Sequence, residues 1–439
     1  MNKTTAQLDN VGVKVPQIIL PAKGVDLQKW AVIACDQYTQ DPAYWENTAS
    51  FVGEAHSTLN MIYPEIYLNR SDRAGRIERI HETMRGYAEK IYSNDSVLNP
   101  PRKAGAYIER TTRHGIRRGL LLAVDLECYD WCADSRNLVR ATEETLRERL
   151  PARMEIRRNA ALELPHILLL IDDRENILAS LLEKLLVKAP LLYDIPLMMG
   201  GGSVSCKLLY RKNDWALVRD VFEHLARVSI NRYNIDKPFL FAVGDGNHSL
   251  AAAKEVWDEY KSAHQGEAGI EEHPARYALA EIVNLHDPAI VFEPIHRIVF
   301  NTDAGHILKA MSALPDFSSL EIDGIEQLRG MVADRAVPEN RFGMVSGGRC
   351  VLVKYSGGKL PTASIDPLLE GLETDYIHGE DELIRLAVQP AAVGILLPPF
   401  DKYGLFETIV TSGPLPRKSF SMGEACEKRF YLEARRLFG

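Results

Sequence analysis

The stretch from Lys237 to Tyr260, KPFLFAVGDGNHSLAAAKEVWDEY, decides how the rest of the chain is interpreted. Its apolar opening, Pro238 to Val243, predicts a buried strand. Its second half carries apolar residues near helical spacing and predicts an amphipathic helix. The intervening GDGNHS combines two glycines with polar residues. A strand, a tight turn and a new helix form an anion site, because the first helical N–H groups lack intrahelical partners and the helix dipole favours negative charge.

The polar residues of this loop are candidates for chemistry. Asp245 supplies a carboxylate and His248 a titratable imidazole at the mouth of the helix. Asn247 or Ser249 is predicted to cap the helix. Gly246 is expected to adopt a positive φ or to allow a phosphate close to the backbone. An ordinary strand–helix turn with a cap accounts for the same pattern equally well, so both interpretations stay open.

The composition predicts a soluble globular protein of two or three domains. The chain has 439 residues, of which 46% are hydrophobic and 26% charged. Its net charge of −8 disfavours nucleic acid and anionic membranes as main partners. The apolar runs are too short to span a bilayer, and MNKTTAQLDN lacks the apolar core of a signal peptide. Six scattered cysteines are typical of reduced thiols, so we expect a cytoplasmic protein.

Predicted strands and helices interleave along the whole chain. This order indicates an α/β to α+β fold with mixed β-sheets. We expect a main α/β domain over residues 1–300, which contains the GDGNHS loop. Residues 301–439 are expected to form a smaller α+β region that packs back on the first.

Local signals predict three further details. Asp41 and Pro42 are expected to be the cap and the first residue of a helix that ends near Gly53. AYIERTT and GIRRGLLLAVDLECYDW predict a hairpin joined by the Arg113–Gly115 turn. His166, which precedes the predicted strand Ile167 to Ile171, is interpreted as a structural residue.

Two carboxylates elsewhere are candidate catalytic groups. Asp36 follows a predicted strand, Trp30 to Cys35, and the loop after a strand is a common place for functional residues in α/β folds. The alternative for Asp36 is a turn residue. Glu143 lies in RATEETL beside Arg140, where a helix is expected to begin, and this arrangement suits phosphate chemistry. The alternative for this charged segment is a solvated helix with i,i+4 pairs.

Further cations are candidates for contacts with an anion. His296 and Arg297 open a predicted strand that ends at Phe300, and a surface role is the alternative for this pair. Arg417, Lys418 and Ser419 form a basic turn between a proline and a phenylalanine. We expect the turn to fold back onto the first domain and add positive charge to the same cleft.

The chain resembles the domain of unknown function 1015 family over nearly its whole length. The resemblance is carried by the Gly200–Ser203 loop and by several long motifs in the same order, namely RATEETLRERLPARMEIRRNAALELPHILLLIDD, GDGNHSLAAAK, HDPAIVFEPIHR, TDYIHGEDELI and GPLPRKSF. The family has no assigned activity, so the resemblance implies which family the chain belongs to but not its function.

One motif is also similar to the Asp-Gly-His-His-Arg loop of the ParB/sulfiredoxin-like superfamily. In that superfamily the loop binds nucleotide phosphates ahead of a helix, and one branch contains free serine kinases. Asp245, Gly246 and His248 match the motif. Asn247 replaces its first histidine, and Ser249 stands where the arginine would be, which removes a bidentate phosphate contact. The resemblance therefore requires another arginine, such as Arg140 or Arg297, to supply the charge.

Three functions are consistent with these residues. The first is a nucleotide-dependent phosphotransferase that uses ATP or ADP with Mg²⁺ on a small hydroxylated metabolite, with free serine as the named candidate. The second is a phosphatase for a phosphometabolite such as phosphoserine, and the third is a sensor that binds without turnover. In the first, Glu143 or Asp36 accepts the hydroxyl proton or holds the metal, and His248 contacts phosphate or moves a proton. Asp245, Gly246, Asn247, Arg140, His296, Arg297 and Lys418 form the predicted phosphate and nucleotide contacts.

Overall fold

The structure, a computed structural model, divides the chain into two compact units. It describes residues 8–68, 70–92, 103–334, 336, 339–357 and 360–438. The first unit contains residues 1–290 together with 425–439, and the second contains residues 291–424. No helix in these described ranges is long and apolar enough to cross a membrane.

The first unit is built on a ten-stranded mixed sheet with helices between its strands. The sheet order is β5-β6-β11-β8-β12-β4-β3-β10-β9, with β1 paired to β4. The strands of the unit are β1 Val13–Lys14, β2 Val32–Ile33, β3 Gly105–Thr112, β4 Gly115–Asp125, β5 Tyr129–Asp130, β6 Val139–Arg140, β7 Leu162–Glu163, β8 Ile167–Ile171, β9 Leu191–Pro196, β10 Ser203–Leu209, β11 Phe241–Asp245, β12 Tyr277–Asn284, β20 Phe430–Tyr431 and β21 Arg435–Arg436. Its helices are α1 Leu27–Trp30, α2 Pro42–Val52, α3 Arg73–Lys90, α4 Leu150–Arg157, α5 Ile177–Leu186, α6 Lys212–Tyr233 and α7 Asn247–Ala263.

Both parallel and antiparallel pairs occur in this sheet, which confirms the predicted mixed class. β11 runs parallel to β6, and β12 runs parallel to β8. β8 and β11 are antiparallel, as are β3 and β4, which form the hairpin expected from the Arg113–Gly115 turn. Strands such as β8 are buried along their whole length, which explains their continuous apolar sequence.

The second unit is built on a seven-stranded antiparallel sheet. Its order is β14-β16-β15-β18-β13-β17, with β19 paired to β13. The strands are β13 Phe292–Phe300, β14 Ser318–Ile322, β15 Asn340–Ser346, β16 Arg349–Tyr355, β17 Thr374–His378, β18 Ala392–Leu396 and β19 Phe420–Met422. The helices are α8 Ala304–Met311, α9 Ile325–Ala333, α10 Pro361–Ile365, α11 Glu380–Ala387 and α12 Leu405–Ser412.

The division between the units lies at other positions than the sequence prediction placed it. The first boundary falls after Ile290 rather than after residue 300, because β13 pairs only with strands of the second unit among the pairings described. The last residues, from Ala425 onward, belong to the first unit, where β20 pairs with β2 and β21 with β7.

Short elements near the N-terminus illustrate where local signals succeeded. Asp41 caps α2 by accepting a hydrogen bond from the Tyr44 N–H at 3.0 Å, and Pro42 is its first residue, as predicted. The strand expected over Trp30 to Cys35 is shorter than predicted, because Trp30 ends α1 and only Val32–Ile33 form β2.

Candidate functional site

The GDGNHS loop joins β11 to the open N-terminal end of α7. β11 ends at Asp245, Gly246 has φ +84°, and the helix begins at Asn247. The predicted positive φ of Gly246 is thereby confirmed. A side chain at this position would also crowd Ile167, because a Cβ added to Gly246 would lie 3.1 Å from the Ile167 Cγ1. The turn therefore requires glycine for both its backbone and its packing.

The first turn of α7 presents backbone N–H groups outward. The Leu250 N–H is bonded to the Gly246 carbonyl oxygen at 2.9 Å, so the N–H groups of the three preceding residues lie beyond the helical hydrogen-bond ladder. The N-cap residue is Gly246, which has no side chain to cap the helix. The expectation that Asn247 or Ser249 caps α7 is wrong, because both residues are already inside the helix.

Asn247 is engaged by a neighbouring loop. Its Oδ1 accepts a hydrogen bond from the Thr142 N–H at 3.1 Å, and its Nδ2 donates to the Thr142 Oγ1 at 3.2 Å. The Thr142 hydroxyl in turn donates to the Val243 carbonyl. Asn247 and Thr142 are both buried. The amide therefore fastens the 141–146 segment to the site, which differs from the direct phosphate contact predicted from the sequence.

Replacing Asn247 with alanine is expected to lower the free energy of unfolding by about 1–3 kcal/mol, because the buried Thr142 N–H loses its acceptor. Chemical denaturation measures this loss. Asn60→Ala is the matched control, since Asn60 is exposed and its amide lies 3.4 Å from the Tyr87 hydroxyl. Unchanged stability combined with lost anion binding would return Asn247 to the role of a ligand contact.

His248 also faces the 141–146 segment. Its Nε2 accepts a hydrogen bond from the Leu146 N–H at 3.3 Å, and its side chain is partly buried. Glu143, which is also partly buried, lies in the same segment between the residues that bond to Asn247 and His248. The structure thus brings Glu143 to the neighbourhood of the loop, although the segment is irregular where a helix start was predicted.

Lys428 is a buried cation beside the loop. Its side chain is 7% exposed, and its Nζ lies 3.4 Å from the Asp245 Oδ2. Pairing of β2 with β20 and a hydrogen bond from the Ala34 N–H to the Arg429 carbonyl place this segment next to the Cys35–Asp36 turn. The Lys428 charge accordingly acts on the Asp36 carboxylate as well.

The surroundings of Asp36 keep its carboxylate ionised. Burial opposes ionisation, but the His166 imidazole and a hydrogen bond from Gln37 outweigh it. The cations Lys428 and Arg153 act in the same direction, so the pKa of Asp36 lies below its ordinary value. A carboxylate held ionised beside a helix N-terminus is suited to accept a proton or to bind a cation.

A chain of hydrogen bonds connects α7 to this acidic turn. The His166 Nε2 lies 2.8 Å from the Ser249 Oγ, and its Nδ1 lies 3.1 Å from the Tyr431 hydroxyl. That hydroxyl accepts from the Cys35 N–H at 3.2 Å. Burial, reinforced by Asp36, raises the pKa of the Cys35 thiol to about 12, so this cysteine is not a thiolate nucleophile.

Four residues of the loop and helix start thus contact three separate segments, because Thr142 and Leu146 both belong to the 141–146 segment. Asp245 contacts Lys428, Asn247 contacts Thr142, His248 contacts Leu146, and Ser249 contacts His166.

Two residues that meet the loop, His166 and Lys428, were not among the predicted site residues. His166 was predicted to be structural, and Lys428 was not a candidate. Their common signal is a titratable residue one or two positions before a strand, here β8 and β20, but such a signal does not tell which strand will pair with which.

Arg140 does not reach the loop. Its guanidinium stacks over the Phe239 ring at 4.5 Å, and its Nε donates to the Asn137 carbonyl at 2.9 Å. Both partners lie toward the start of β11, whereas the loop follows the end of that strand. Arg140 is therefore a buried structural cation rather than the predicted phosphate contact.

His296 and Arg297 belong to the second unit and are bonded internally. Arg297 is fully buried and forms a bidentate pair with Asp366 at 2.9 and 2.7 Å. Its Nη1 also donates to the Lys418 carbonyl at 2.9 Å. The His296 Nδ1 accepts from the Leu397 N–H at 3.1 Å, and burial, aided by Arg297, lowers the pKa of His296 to about 4. The imidazole is neutral at pH 7, so neither side chain has the role predicted.

Lys418 likewise lies in the second unit. Its side chain is exposed, and its backbone adopts a φ of +58°. The turn that contains Lys418 binds Arg297 through the Lys418 main-chain carbonyl. This turn therefore has a structural role that requires no ligand.

Replacing Arg297 with methionine is expected to destabilise the second unit by about 3 kcal/mol, because a buried ion pair loses one partner and Asp366 is left uncompensated. Thermal and chemical denaturation measure the effect. Arg349→Met is the control, since Arg349 pairs with Glu321 on the surface and such pairs contribute little. Equal stability of the two variants would contradict a structural role for Arg297.

The described ranges contain no preformed metal site. No group of three or more His, Cys, Asp and Glu side chains in the described ranges has an arrangement that holds a metal ion. Mg²⁺ does not require such a site, because it is commonly held by one or two carboxylates together with substrate phosphates. Asp245, together with the phosphates of a bound nucleotide, fits this requirement.

The fold and the site define a two-unit, mixed α/β protein with a candidate anion site at a strand–loop–helix junction. The chain belongs to the family described as protein of unknown function (DUF1015), whose model matches residues 19–374. A search of curated proteins found no match.

Solved structures share a distant likeness with the chain. A conserved hypothetical protein from Pyrococcus furiosus has 10% identity and a TM-score of 0.34, covering 71% of this chain and 90% of that one. A free serine kinase in complex with AMP has 9% identity and a TM-score of 0.38, with coverage of 71% and 90%. SbnI with C-terminal truncation from Staphylococcus aureus has 10% identity and a TM-score of 0.35, with coverage of 69% and 82%. At such low scores these likenesses carry no conclusion about the function of this chain.

Proposed function

We propose that this protein is a nucleotide-dependent phosphotransferase that acts on the hydroxyl group of a small metabolite, with free serine as the named candidate. The observation that carries the proposal is the position of Lys428. This buried cation lies 3.4 Å from the Asp245 Oδ2 at the N-terminal end of α7 and acts electrostatically on the Asp36 carboxylate. Phosphoryl transfer depends mainly on positioning and charge stabilisation, and these residues supply both.

The phosphate groups of ATP or ADP are proposed to bind at the start of α7. The outward N–H groups of residues 247–249 donate hydrogen bonds to phosphate oxygens, and the helix dipole adds to the attraction. Lys428 supplies the positive charge that the sequence motif lacks at Ser249. The Ser249 hydroxyl, held by His166 at 2.8 Å, adds one more hydrogen-bonding group at the same helix end.

Asp36 is proposed as the general base. The hydroxyl oxygen of the acceptor attacks the terminal phosphorus while the bond to the leaving phosphate oxygen breaks, and the hydroxyl proton passes to the Asp36 carboxylate. The lowered pKa of Asp36 keeps this carboxylate ionised at neutral pH. Glu143 lies in the neighbouring segment and is the second carboxylate able to serve the acceptor.

Asp245 is the residue that would hold Mg²⁺ together with the nucleotide phosphates, which leaves Asp36 to act as the base. Bound there, the ion would neutralise charge on the phosphate oxygens. The protein's own contribution would be the Asp245 carboxylate for the metal and the Lys428 charge for the phosphate groups.

Product analysis tests the proposal. Purified full-length protein is incubated with terminally labelled ATP or with ADP, with and without serine, and with Mg²⁺ or a chelator. Serine-dependent formation of phosphoserine supports the proposal. Release of phosphate from phosphoserine without a nucleotide identifies a phosphatase, and nucleotide binding without any product identifies a sensor.

A further inference from the structure

The second unit contains a cavity that the proposed function does not use. Its volume is about 440 Å³, which lies within the range of small-molecule sites in proteins. The cavity is formed by residues of this unit alone. Its lining includes the apolar residues Leu360, Pro361 and the segment from Leu397 to Phe400, together with residues of α12.

A buried arginine lies in the wall of this cavity. Arg341 is 6% exposed. Its Nε and Nη1 donate to the carbonyls of Glu339 and Met331 at 3.4 and 3.2 Å. Its Nη2 has no hydrogen-bond partner in the part of the chain that the structure describes. Buried guanidinium groups are normally paired with an anion, so Arg341 is the natural receiver of a ligand carboxylate.

The rim of the cavity carries the opposite charge. Among the described residues that line it, Asp334, Glu339, Asp401 and Glu407 are acidic and Arg341 is the one cation. A simple anion would be repelled by these carboxylates, whereas a cationic group would be attracted. A ligand with both charges satisfies the two halves of the site at once. The apolar wall from Leu397 to Phe400 then accommodates a hydrocarbon or aromatic group.

We propose that this cavity binds an α-amino acid with an apolar side chain. Its carboxylate pairs with Arg341, and its side chain lies against Pro398 to Phe400. Its ammonium group faces the rim carboxylates, among which Glu407 on α12 is the residue chosen for substitution. The site is independent of the phosphotransferase chemistry proposed for the first unit.

Calorimetric titration of the full-length protein tests the proposal with phenylalanine, leucine and two analogues of phenylalanine. Phenylalanine or leucine is expected to bind. Phenethylamine lacks the carboxylate and 3-phenylpropanoate lacks the ammonium group, so each is expected to bind about tenfold more weakly or worse. Arg341→Met is expected to bind the amino acid at least about tenfold more weakly. Glu407→Gln is expected to weaken the binding of the amino acid but not the binding of 3-phenylpropanoate. The surface variant Arg349→Met should bind as the wild type does.

A cavity-filling variant provides an independent test in case Arg341→Met does not fold. Thr408 lines the cavity from α12 and is partly buried, so Thr408→Trp is expected to abolish binding by occupying the space. The proposal is overturned if neither amino acid binds the wild type, or if Thr408→Trp binds like the wild type. Equal binding of 3-phenylpropanoate and phenylalanine would overturn the zwitterionic assignment.

Discussion

Asp36→Asn is expected to lower phosphoryl transfer to serine on the order of 10³-fold, because an amide cannot accept the hydroxyl proton. The nucleotide should still bind, since the helix N–H groups and Lys428 remain in place. Steady-state kinetics and nucleotide titration on the same preparation separate the two effects. A loss of kcat with nearly constant nucleotide affinity is the pattern of a group that acts in the transition state.

The control for this variant is Asp41→Asn. Asp41 lies in the same region and caps α2, and asparagine is as good an N-cap as aspartate, so both stability and turnover should stay unchanged. Full turnover in Asp36→Asn would assign Asp36 to the structure of the turn. The role of general base would then pass to Glu143, and Glu143→Gln would become the informative variant.

The sequence predicted the elements that depend on local signals. The GDGNHS turn, the positive φ of Gly246, the cap at Asp41 and the hairpin of β3 and β4 each follow from a few adjacent residues. The fold class follows from the interleaving of strands and helices. Such features do not depend on which distant segments meet, so a single sequence is enough to predict them.

The partners of the loop could not be predicted in the same way. His166 and Lys428 meet the loop because β8 pairs with β11 and β20 pairs with β2, and both pairings join segments far apart in the chain. A basic contribution from the C-terminal region was expected from Lys418. The nearby Lys428 contacts Asp245 instead, because only the segment from Ala425 onward returns to the first unit.

Charged residues were a second source of error for a physical reason. Arginines in strands are able to bind an external anion or to satisfy the protein's own carbonyls and carboxylates, and the sequence does not distinguish these uses. Arg297 and Arg140 are both buried and use their hydrogen bonds internally. The same reasoning applies to Asn247, whose amide bonds to Thr142. Burial of a polar side chain has to be known before its chemistry is assigned.

Lys428→Met is expected to lower kcat/KM for phosphoryl transfer about 10²- to 10³-fold, because a preorganised charge beside the phosphates is removed. Methionine matches the length of the lysine stem, so the fold should persist. Nucleotide affinity should fall as well, which distinguishes this variant from Asp36→Asn.

The pH dependence of Lys428→Met provides a sharper test. Lys428 is one of the groups that lower the pKa of Asp36, so its removal raises that pKa. Activity requires ionised Asp36, and the acid limb of the kcat/KM profile should therefore move to higher pH in the variant. Lys254→Met is the control, because Lys254 pairs with Asp258 along α7. If the acid limb of Lys428→Met coincides with those of the control and the wild type, Lys428 does not act on the catalytic carboxylate.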